Sequence, residues 1–281
     1  MIKYMENGFA YVEVSNAVSS AKIALQGAHI YEYTRKSADE LLWLSPTSSF
    51  ERGKAIRGGI PICWPRFGVE DKSMPAHGFT RTAMFSLVSI KELDKESTEV
   101  VLRLQESEES CLIWDYKFTL EVVFTISESL EVKMITTNTD TKPFLLTEAL
   151  HIYLHVSHID DVKVEGLQNR AYLDTLDGKI KSESETLLID KECDKVYQDF
   201  KGELVLVDKK RALSLHTKGS ESTVVWNPWI EKGSSMSGMQ ADAYKEFICL
   251  ETANAFKNVL RLQPKEVHSM SVILLGLTNH H

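Results

Sequence analysis

Long apolar runs are absent from this sequence, and so are clustered cysteines and an excess of positive charge. No stretch approaches the roughly 18 apolar residues that span a bilayer, which argues against a helical membrane protein. The net charge of −8 and the pI of about 5.6 argue against nucleic acid or an anionic membrane as a partner. The first ten residues lack the basic and apolar segments of a secretory signal, so we expect a cytoplasmic protein.

The cysteines show no CxxC spacing, which would suggest a metal or redox motif. They lie far apart in the chain, at Cys63, Cys111, Cys193 and Cys249. A chain of 281 residues does not need disulfides to hold its core together. We therefore expect buried, reduced thiols.

Alternation of apolar and polar residues is frequent, whereas no amphipathic helix of ten or more residues is evident. The clearest strand is Phe118–Ile126, and its pattern resumes at Leu130–Met134 after a turn that suits a hairpin. Short helical turns are predicted near Asp190–Tyr197 and Ala241–Glu246. Further predicted strands are Tyr11–Ser15, Lys22–Leu25, Ala28–Thr34, Met84–Ile90, Val100–Leu104, Leu145–Val156, Lys163–Val164, Leu204–Val207, Leu213–His216, Val224–Trp226, Ile248–Leu250 and Val267–Leu277.

Many short strands without intervening helices predict an all-β protein, namely a large antiparallel β-sandwich or barrel. Internal repeats and linkers rich in Pro, Gly or Ser are missing, so we expect a single domain over residues 1–281. His280 and His281 could belong to an affinity tag and are set aside from the site analysis.

The segment Ala55–Arg81 has no periodic apolar face and is rich in Gly, Pro and Arg, which is typical of a shaped loop. Loops held on a rigid scaffold often carry binding groups. Arg57 and Arg81, near the two ends of this loop, could clamp an anion such as phosphate. The alternative is a structural connection with solvated arginines and with Trp64 filling the core.

Histidines at alternate positions give a second candidate site. In a strand over 150–156, the side chains of His151, Tyr153 and His155 point away from the apolar face, which suggests a polar cleft. Structural histidines are the alternative. A metal site at His151, His155 and His158 is disfavoured, because four strand residues span about 13 Å and no HExxH pattern is present.

Two acidic residues and an aromatic turn complete the candidates. Glu251 lies near the end of an apolar strand, where loss of solvation would make its carboxylate a better base. Pairing with an arginine is the structural alternative. Asp194 could bind polyol hydroxyls or simply cap a turn, and the Trp226–Trp229 turn could stack on a sugar or fill the core.

Taken in order, these blocks resemble the aldose 1-epimerase superfamily, and within it the hexose-6-phosphate mutarotase branch. The motifs that carry the resemblance are Arg57-Gly58-Gly59-Ile60-Pro61, Cys63-Trp64-Pro65, Phe67-Gly68, His77-Gly78-Phe79-Thr80-Arg81, Thr147-Glu148-Ala149-Leu150-His151, Asp194-Lys195-Val196-Tyr197, Val225-Trp226-Asn227-Pro228-Trp229 and Leu250-Glu251-Thr252-Ala253-Asn254. Arg66 departs from the family pattern, in which Gln or Trp is more common, so its role in the loop stays open.

The resemblance implies a galactose-mutarotase-like β-sandwich whose concave sheet face holds the sugar. It implies interconversion of the α and β anomers of a hexose 6-phosphate, such as glucose 6-phosphate, with no cofactor and no metal. By family correspondence Glu251 is the base at the C1 hydroxyl and His151 is the acid at the ring oxygen. His77 would hold or polarise sugar oxygens beside the acid.

Family correspondence also assigns the binding groups. Asp194 would bind ring hydroxyls, and Arg57 and Arg81 would clamp the 6-phosphate. The expected partner is therefore a small-molecule phosphosugar, and the expected assembly is a monomer. Two alternatives are an aldose 1-epimerase acting on free sugars and a non-catalytic phosphosugar-binding or regulatory protein on the same fold.

Overall fold

The computed structural model describes residues 1–36, 40–69 and 72–277, so His280 and His281 lie outside the described residues. The helices are α1 (Glu108–Ile113) and α2 (Trp229–Ser235), with 3₁₀ turns at Thr80–Thr82, Ile159–Asp161 and Ala243–Lys245. In the described part of the chain, no helix is long and apolar enough to cross a membrane. The strands are β1 (Ile2–Tyr4), β2 (Ala10–Ser15), β3 (Ser19–Ala24), β4 (His29–Arg35), β5 (Ile62–Cys63), β6 (Ser86–Glu92), β7 (Thr98–Gln105), β8 (Phe118–Ile126), β9 (Leu130–Asn138), β10 (Phe144–Leu146), β11 (Glu148–Leu150), β12 (Tyr153–His155), β13 (Lys163–Glu165), β14 (Ala171–Asp174), β15 (Lys179–Ser182), β16 (Leu187–Leu188), β17 (Cys193–Gln198), β18 (Glu203–Val207), β19 (Ala212–Lys218), β20 (Ser222–Asn227), β21 (Phe247–Asn254), β22 (Leu260–Leu262) and β23 (Val267–Leu277).

Two large antiparallel sheets dominate the described residues, which confirms the predicted all-β sandwich. One has nine strands in the order β16-β13-β18-β19-β23-β9-β8-β7-β6. The other follows β15-β14-β17-β20-β21-β11-β5, with β12 also paired to β21. Side chains from both sheets meet in one buried apolar cluster, which stabilises the sandwich because its apolar surface is removed from water.

The clearest predicted strand is confirmed at both ends, since β8 spans Phe118–Ile126. Its alternate residues Phe118, Leu120, Val122, Phe124 and Ile126 are all fully buried. β9 follows after the Ser127–Ser129 turn and pairs with β8 along its whole length. A period of two in the sequence thus corresponds to one core-facing side of each strand.

Two local predictions are wrong. Leu145–Val156 is not one strand but three short ones: β10 pairs with β22 in a separate two-stranded sheet, whereas β11 and β12 both pair with β21 in one register and are interrupted only at 151–152. Asp190–Tyr197 is not a helical turn, since Cys193–Gln198 is β17. There, backbone pairing of six consecutive residues with β20 outweighs the weak preference of this segment for a helical turn. The 3₁₀ turn at Ala243–Lys245 agrees with the other predicted turn.

The expectation of buried thiols holds for Cys63, Cys193 and Cys249 but not for Cys111, which is partly exposed. Cys111 lies on α1, a surface helix that the sequence analysis did not anticipate. This helix begins at Ser107, whose hydroxyl accepts from the Ser110 backbone N–H at 3.1 Å. Such a cap compensates for the unpaired amides of a short helix.

The loop 55–81 is anchored through its centre. Trp64 is fully buried, and its Nε1 donates to Thr136 Oγ1 of the opposite sheet at 3.0 Å. The Thr80 hydroxyl donates to the Ile62 carbonyl at 2.7 Å. Trp64 therefore does fill the core, while the arginines at the loop ends remain available for another role.

We predict that Gly78→Ala destabilises the fold far more than Gly53→Ala. Both glycines have a positive φ, +80° and +82°, but a Cβ at Gly78 would lie 2.0 Å from the Trp64 carbonyl oxygen, whereas nothing lies within 4 Å at Gly53. Urea unfolding should show a loss of about 1 kcal/mol for Gly53→Ala, from backbone strain alone. For Gly78→Ala it should show about 3 kcal/mol or more. Equal losses would contradict close packing of this loop.

Candidate active site

A cavity of about 460 Å³ opens on the outward face of the sheet that contains β17, β20 and β21. Its lining includes all six side chains that the sequence analysis selected, which are Arg57, His77, Arg81, His151, Asp194 and Glu251. These residues come from the long loop and from strands separated by up to about 190 positions in the chain. The fold therefore brings the candidates together in one place, which we call the site cavity.

The floor of the site cavity follows from strand register. Asp194 of β17 lies opposite Trp226 of β20, and Val224 lies opposite Glu251 of β21. Residues opposite one another project from the same face of a sheet, so these side chains share the outward face. Their immediate neighbours along the strands, such as Val225 and Leu250, face the sandwich core instead.

His151 and Glu251 form the centre of the floor. His151 Nε2 lies 3.3 Å from Glu251 Oε1, and the side chain of Glu251 is only 2% exposed. His151 Nδ1 and Glu251 Oε2 are buried and have no hydrogen-bond partner within residues 1–36, 40–69 and 72–277. Buried polar atoms normally have partners, so this pair has hydrogen-bonding capacity left for a ligand.

Burial shifts the two ionisation equilibria in opposite directions. It raises the pKa of the Glu251 carboxyl well above its ordinary value, and the nearby charge of Asp194 adds to this. It lowers the pKa of the His151 imidazole well below its ordinary value, with His77, Arg81 and Arg57 adding smaller effects. Both changes have the same cause, since a poorly solvated site disfavours any net charge.

His77 lies beside this pair, with its ring centroid 6.2 Å from that of His151. Its φ of +62° is uncommon for a residue with a side chain, and its Nδ1 accepts from the Gly68 backbone N–H at 3.4 Å. Burial, aided by Arg81 and Arg57, lowers the pKa of His77 to about 4. Its imidazole is therefore neutral at neutral pH and can both donate and accept a hydrogen bond.

Two guanidinium groups border the site cavity. An NH1 group of Arg57 donates to the Tyr153 hydroxyl at 3.4 Å, and NH2 donates to the Ser237 carbonyl, also at 3.4 Å. Arg81 donates to the carbonyl of Ala76. The Nε atoms of both arginines are buried without a partner in the part of the chain that the structure describes. Both side chains therefore have N–H groups left to bind an anionic ligand.

The far side of the site cavity is polar and aromatic. Burial raises the pKa of the Asp194 carboxyl. Lys232 of α2 lies 6.0 Å from the centroid of the Trp226 ring and 3.1 Å from Glu192 Oε1. A carboxylate, an ammonium group and an indole ring around one space suit a polyhydroxylated ring, which has both hydroxyls and apolar C–H faces.

Some sequence candidates lie elsewhere. His155 follows Tyr153 on β12 but does not line the site cavity, since its register partner Phe247 packs its ring against that of Tyr153. Arg66 faces a separate pocket with Trp114 and other residues. Among the described residues there is no group of three or more His, Cys, Asp or Glu side chains placed to hold a metal ion.

Sequence reasoning missed Lys232, Thr175 and Met236, which also line the site cavity. They belong to α2, the residues just after it and a turn after β14, and none of these segments has a distinctive periodicity. Only the three-dimensional arrangement places them beside Asp194. Trp226 was recognised as a possible sugar platform, and it does line the site cavity.

Solved structures with this fold define the class of protein. A structure described as a putative mutarotase (YeaD) from Salmonella typhimurium superimposes with a TM-score of 0.92 at 29% identity, covering 98% of this chain and 92% of that one. A galactose mutarotase related enzyme from Lactobacillus acidophilus shares the fold at 14% identity, with a TM-score of 0.75 and coverage of 95% and 97%. The architecture is thus that of the galactose-mutarotase-like sandwiches.

The sequence identifies the family. Residues 11–274 match the aldose 1-epimerase family, and the chain belongs to it. A protein from Escherichia coli K12 named "Putative glucose-6-phosphate 1-epimerase" is 33% identical over 266 residues, covering 92% of this chain and 87% of its own length. A protein of the same name from Cenchrus ciliaris is also 33% identical, with coverage of 88% and 78%.

We predict that the His77 ring titrates near pH 4, chiefly because it is buried, and that inorganic phosphate raises its pKa, because the anion opposes the charges of Arg81 and Arg57. NMR of the imidazole C–H protons against pH, with and without phosphate, measures this. His155 is the internal control, since burial and Arg211 lower its pKa outside the site cavity and phosphate should leave it unchanged. A His77 pKa near 6.5 without phosphate would contradict the described environment.

Proposed function

We propose that this protein is an isomerase that interconverts the α and β anomers of a hexose 6-phosphate, with glucose 6-phosphate as the preferred substrate. The observation that carries the proposal is the buried His151–Glu251 pair, 3.3 Å apart, in a cavity bordered by two arginines. An acid–base pair suits proton transfer, and the arginines suit a phosphate. Family membership and the relatives named as glucose-6-phosphate 1-epimerases support the same reaction.

Ring opening needs two coordinated proton transfers. Glu251 removes the proton of the C1 hydroxyl, and the O–H electron pair forms the C1=O double bond. The C1–O5 bond breaks, and its electron pair takes a proton from His151 to become the C5 hydroxyl. The product is the open-chain aldehyde, with Glu251 protonated and His151 neutral.

Ring closure reverses these steps after a rotation. Turning about the C1–C2 bond presents the other face of the aldehyde to the C5 hydroxyl. His151 then takes the proton from that hydroxyl while Glu251 returns a proton to the new C1 hydroxyl. The substrate leaves as the other anomer, and both side chains regain their starting protonation states.

The separation of the acid and base fits the geometry of the substrate. O1 and O5 are bonded to the same carbon, so groups acting on both oxygens must lie next to each other. His151 Nε2 and Glu251 Oε1 meet this requirement at 3.3 Å. Their positioning before the substrate binds spares the reaction the entropic cost of assembling the two catalysts.

The opposite pKa shifts suit a pair that works with one shared proton. In the free protein the two shifts favour the neutral form of the pair, with this proton on Glu251. The form that opens the ring has the proton on His151, so that Glu251 is a carboxylate base and His151 is an imidazolium acid. The pair does not readily bind a second proton, because the pKa of His151 is lowered. It does not readily lose its single proton, because the pKa of Glu251 is raised. Burial therefore widens the pH interval over which the pair keeps one proton.

Other groups of the site cavity hold the substrate. We assign Asp194 to ring hydroxyls, the neutral His77 to sugar oxygens beside the acid, and Arg57 and Arg81 to the 6-phosphate. In a protein of net charge −8, local positive groups are needed to hold a phosphate dianion. We also propose that the enzyme is a monomer and acts in the cytoplasm.

We predict that Glu251→Gln and His151→Ala each lower the enzymatic rate of anomer exchange by about 10²- to 10⁴-fold, because each removes one proton-transfer group. Two-dimensional exchange NMR of glucose 6-phosphate measures the rate, after subtraction of the spontaneous reaction. His216→Ala is the control, since this half-exposed histidine of β19 lies outside the site cavity. Phosphosugar binding without any rate acceleration by the native protein would instead indicate a non-catalytic sensor.

We predict that Arg57→Ala and Arg81→Ala each raise the KM for glucose 6-phosphate by about 10- to 100-fold. This change corresponds to the free energy lost when one charged hydrogen bond to the phosphate is removed. The rate with free glucose should stay nearly unchanged, because that substrate has no phosphate. Arg103→Ala is the matched control, as this arginine pairs with Glu121 at 2.7 Å, away from the site cavity. Normal use of glucose 6-phosphate by both variants would exclude the clamp and favour a free-aldose enzyme.

A further inference from the structure

A second buried carboxylate lies close to the catalytic pair but outside the site cavity. Glu148 is fully buried, and its Oε1 accepts a hydrogen bond from Asn254 Nδ2 at 3.0 Å. The same oxygen lies 2.9 Å from Nε2 of His268 on β23. Glu148 Oε2 is buried without a partner in the described ranges.

This cluster is placed at one end of the ladder that also carries the catalytic pair. In the antiparallel pairing of β11 with β21, Glu148 lies opposite Asn254 and Leu150 lies opposite Thr252. One step further along both strands come His151 and Glu251. The same ladder therefore joins the side-chain bond Glu148–Asn254 to the acid–base pair.

Although β11 is only three residues long, backbone pairing continues beyond it in the same register: the Leu250 N–H donates to the Ile152 carbonyl at 3.2 Å, and β12 pairs with β21. On the other edge of β11, the His151 N–H donates to the Pro61 carbonyl at 3.0 Å, in the register of the β11–β5 pairing. The acid–base pair thus lies between the β12–β21 pairing on one side and the Glu148–Asn254 bond on the other. A small shift of one strand along the other would change the gap between His151 and Glu251 directly. Displacements of about 1 Å are enough to lower the rate of a catalysed reaction about 100-fold.

Stability alone does not account for a carboxylate at this position. Removing a charge from water is costly, and an apolar pair of similar volume is often at least as stable as a buried ion pair. The neighbouring His268 compensates in part, since Glu148 raises the pKa of this histidine against the effect of burial. The cluster thus costs stability but holds a defined geometry. These two properties suit a group whose role is to position one strand against another.

We propose that Glu148 is a positioning residue for the reaction, which holds β11 against β21 through Asn254 and against β23 through His268 and so helps to set the separation of His151 and Glu251. This inference rests on the proposed function. Glu148 does not line the site cavity, so it acts through the strands and not on the sugar. The binding groups Arg57 and Asp194 lie on other elements.

The first test is Glu148→Gln, which keeps the shape and the acceptor for Asn254 but removes the charge that holds His268. We expect kcat for glucose 6-phosphate exchange to fall about 10- to 100-fold, with KM within about twofold of native. Glu203→Gln is the matched control: Glu203 lies 3.1 Å from Nε2 of His216 in an exposed pair on β18 and β19. Its kcat should be native.

The second test moves the charge across the ladder. Asn254→Asp alone places two carboxylates face to face, so its kcat should also fall. In the double variant Glu148→Gln with Asn254→Asp, the amide and the carboxylate exchange places, and the new carboxylate stands where Asn254 Nδ2 now lies 3.3 Å from His268 Nε2. The double variant should therefore lose less activity than the product of the two single losses.

Three results would overturn the inference while leaving the proposed function intact. One is an active native enzyme whose Glu148→Gln variant is less stable in urea but has a native kcat when folded. Another is a rise in KM with kcat unchanged. The third is a double variant whose loss equals the product of the single losses. Failure of the native protein to accelerate exchange would instead refute the proposed function itself.

Discussion

The antiparallel pairing of β11 with β21 is the constraint on which the site depends. It brings a histidine and a glutamate that are 100 positions apart in the chain to within 3.3 Å. Neither strand could do this alone, because β11 is three residues long and gains its place from β21 and β5 on its two sides. The core of the sandwich in turn holds β21, whose eight residues are all buried. The geometry of the His151–Glu251 pair is therefore a consequence of sheet register.

The same burial that orders the site also makes it costly. Glu251 and Glu148 are both almost wholly removed from water, and each keeps one oxygen without a protein partner in the described residues. Buried carboxylates lower the stability of a fold unless they are fully paired. The two large sheets compensate through a continuous apolar cluster that extends from Val12 to Leu274. A site of this kind requires a large core, which the sandwich provides.

Much of the fold and the membership of the site could be predicted from the sequence. Phe118–Ile126 is predictable because one face of the strand is buried and the other is not, which leaves a period of two. Leu145–Val156 is not, because all of β11 is buried and the change of pairing partner between β10 and β11, from β22 to β21, leaves no mark on hydropathy. The six site residues were found through motif resemblance, since their spacing alone supports structural readings equally well. Lys232 was missed because only tertiary structure brings α2 beside Asp194.

The buried Trp64 has a consequence for how ligands are bound. It fastens the middle of the loop 55–81 to Thr136 in the opposite sheet, so the loop is anchored to the core at a point between Arg57 and Arg81. A binding loop that is loose in the free protein loses conformational freedom when its ligand arrives, and affinity falls by that amount. Here the loss has already occurred during folding. The guanidinium groups are therefore presented by a preorganised backbone, and the attraction to an anion is available for binding instead of for ordering the chain.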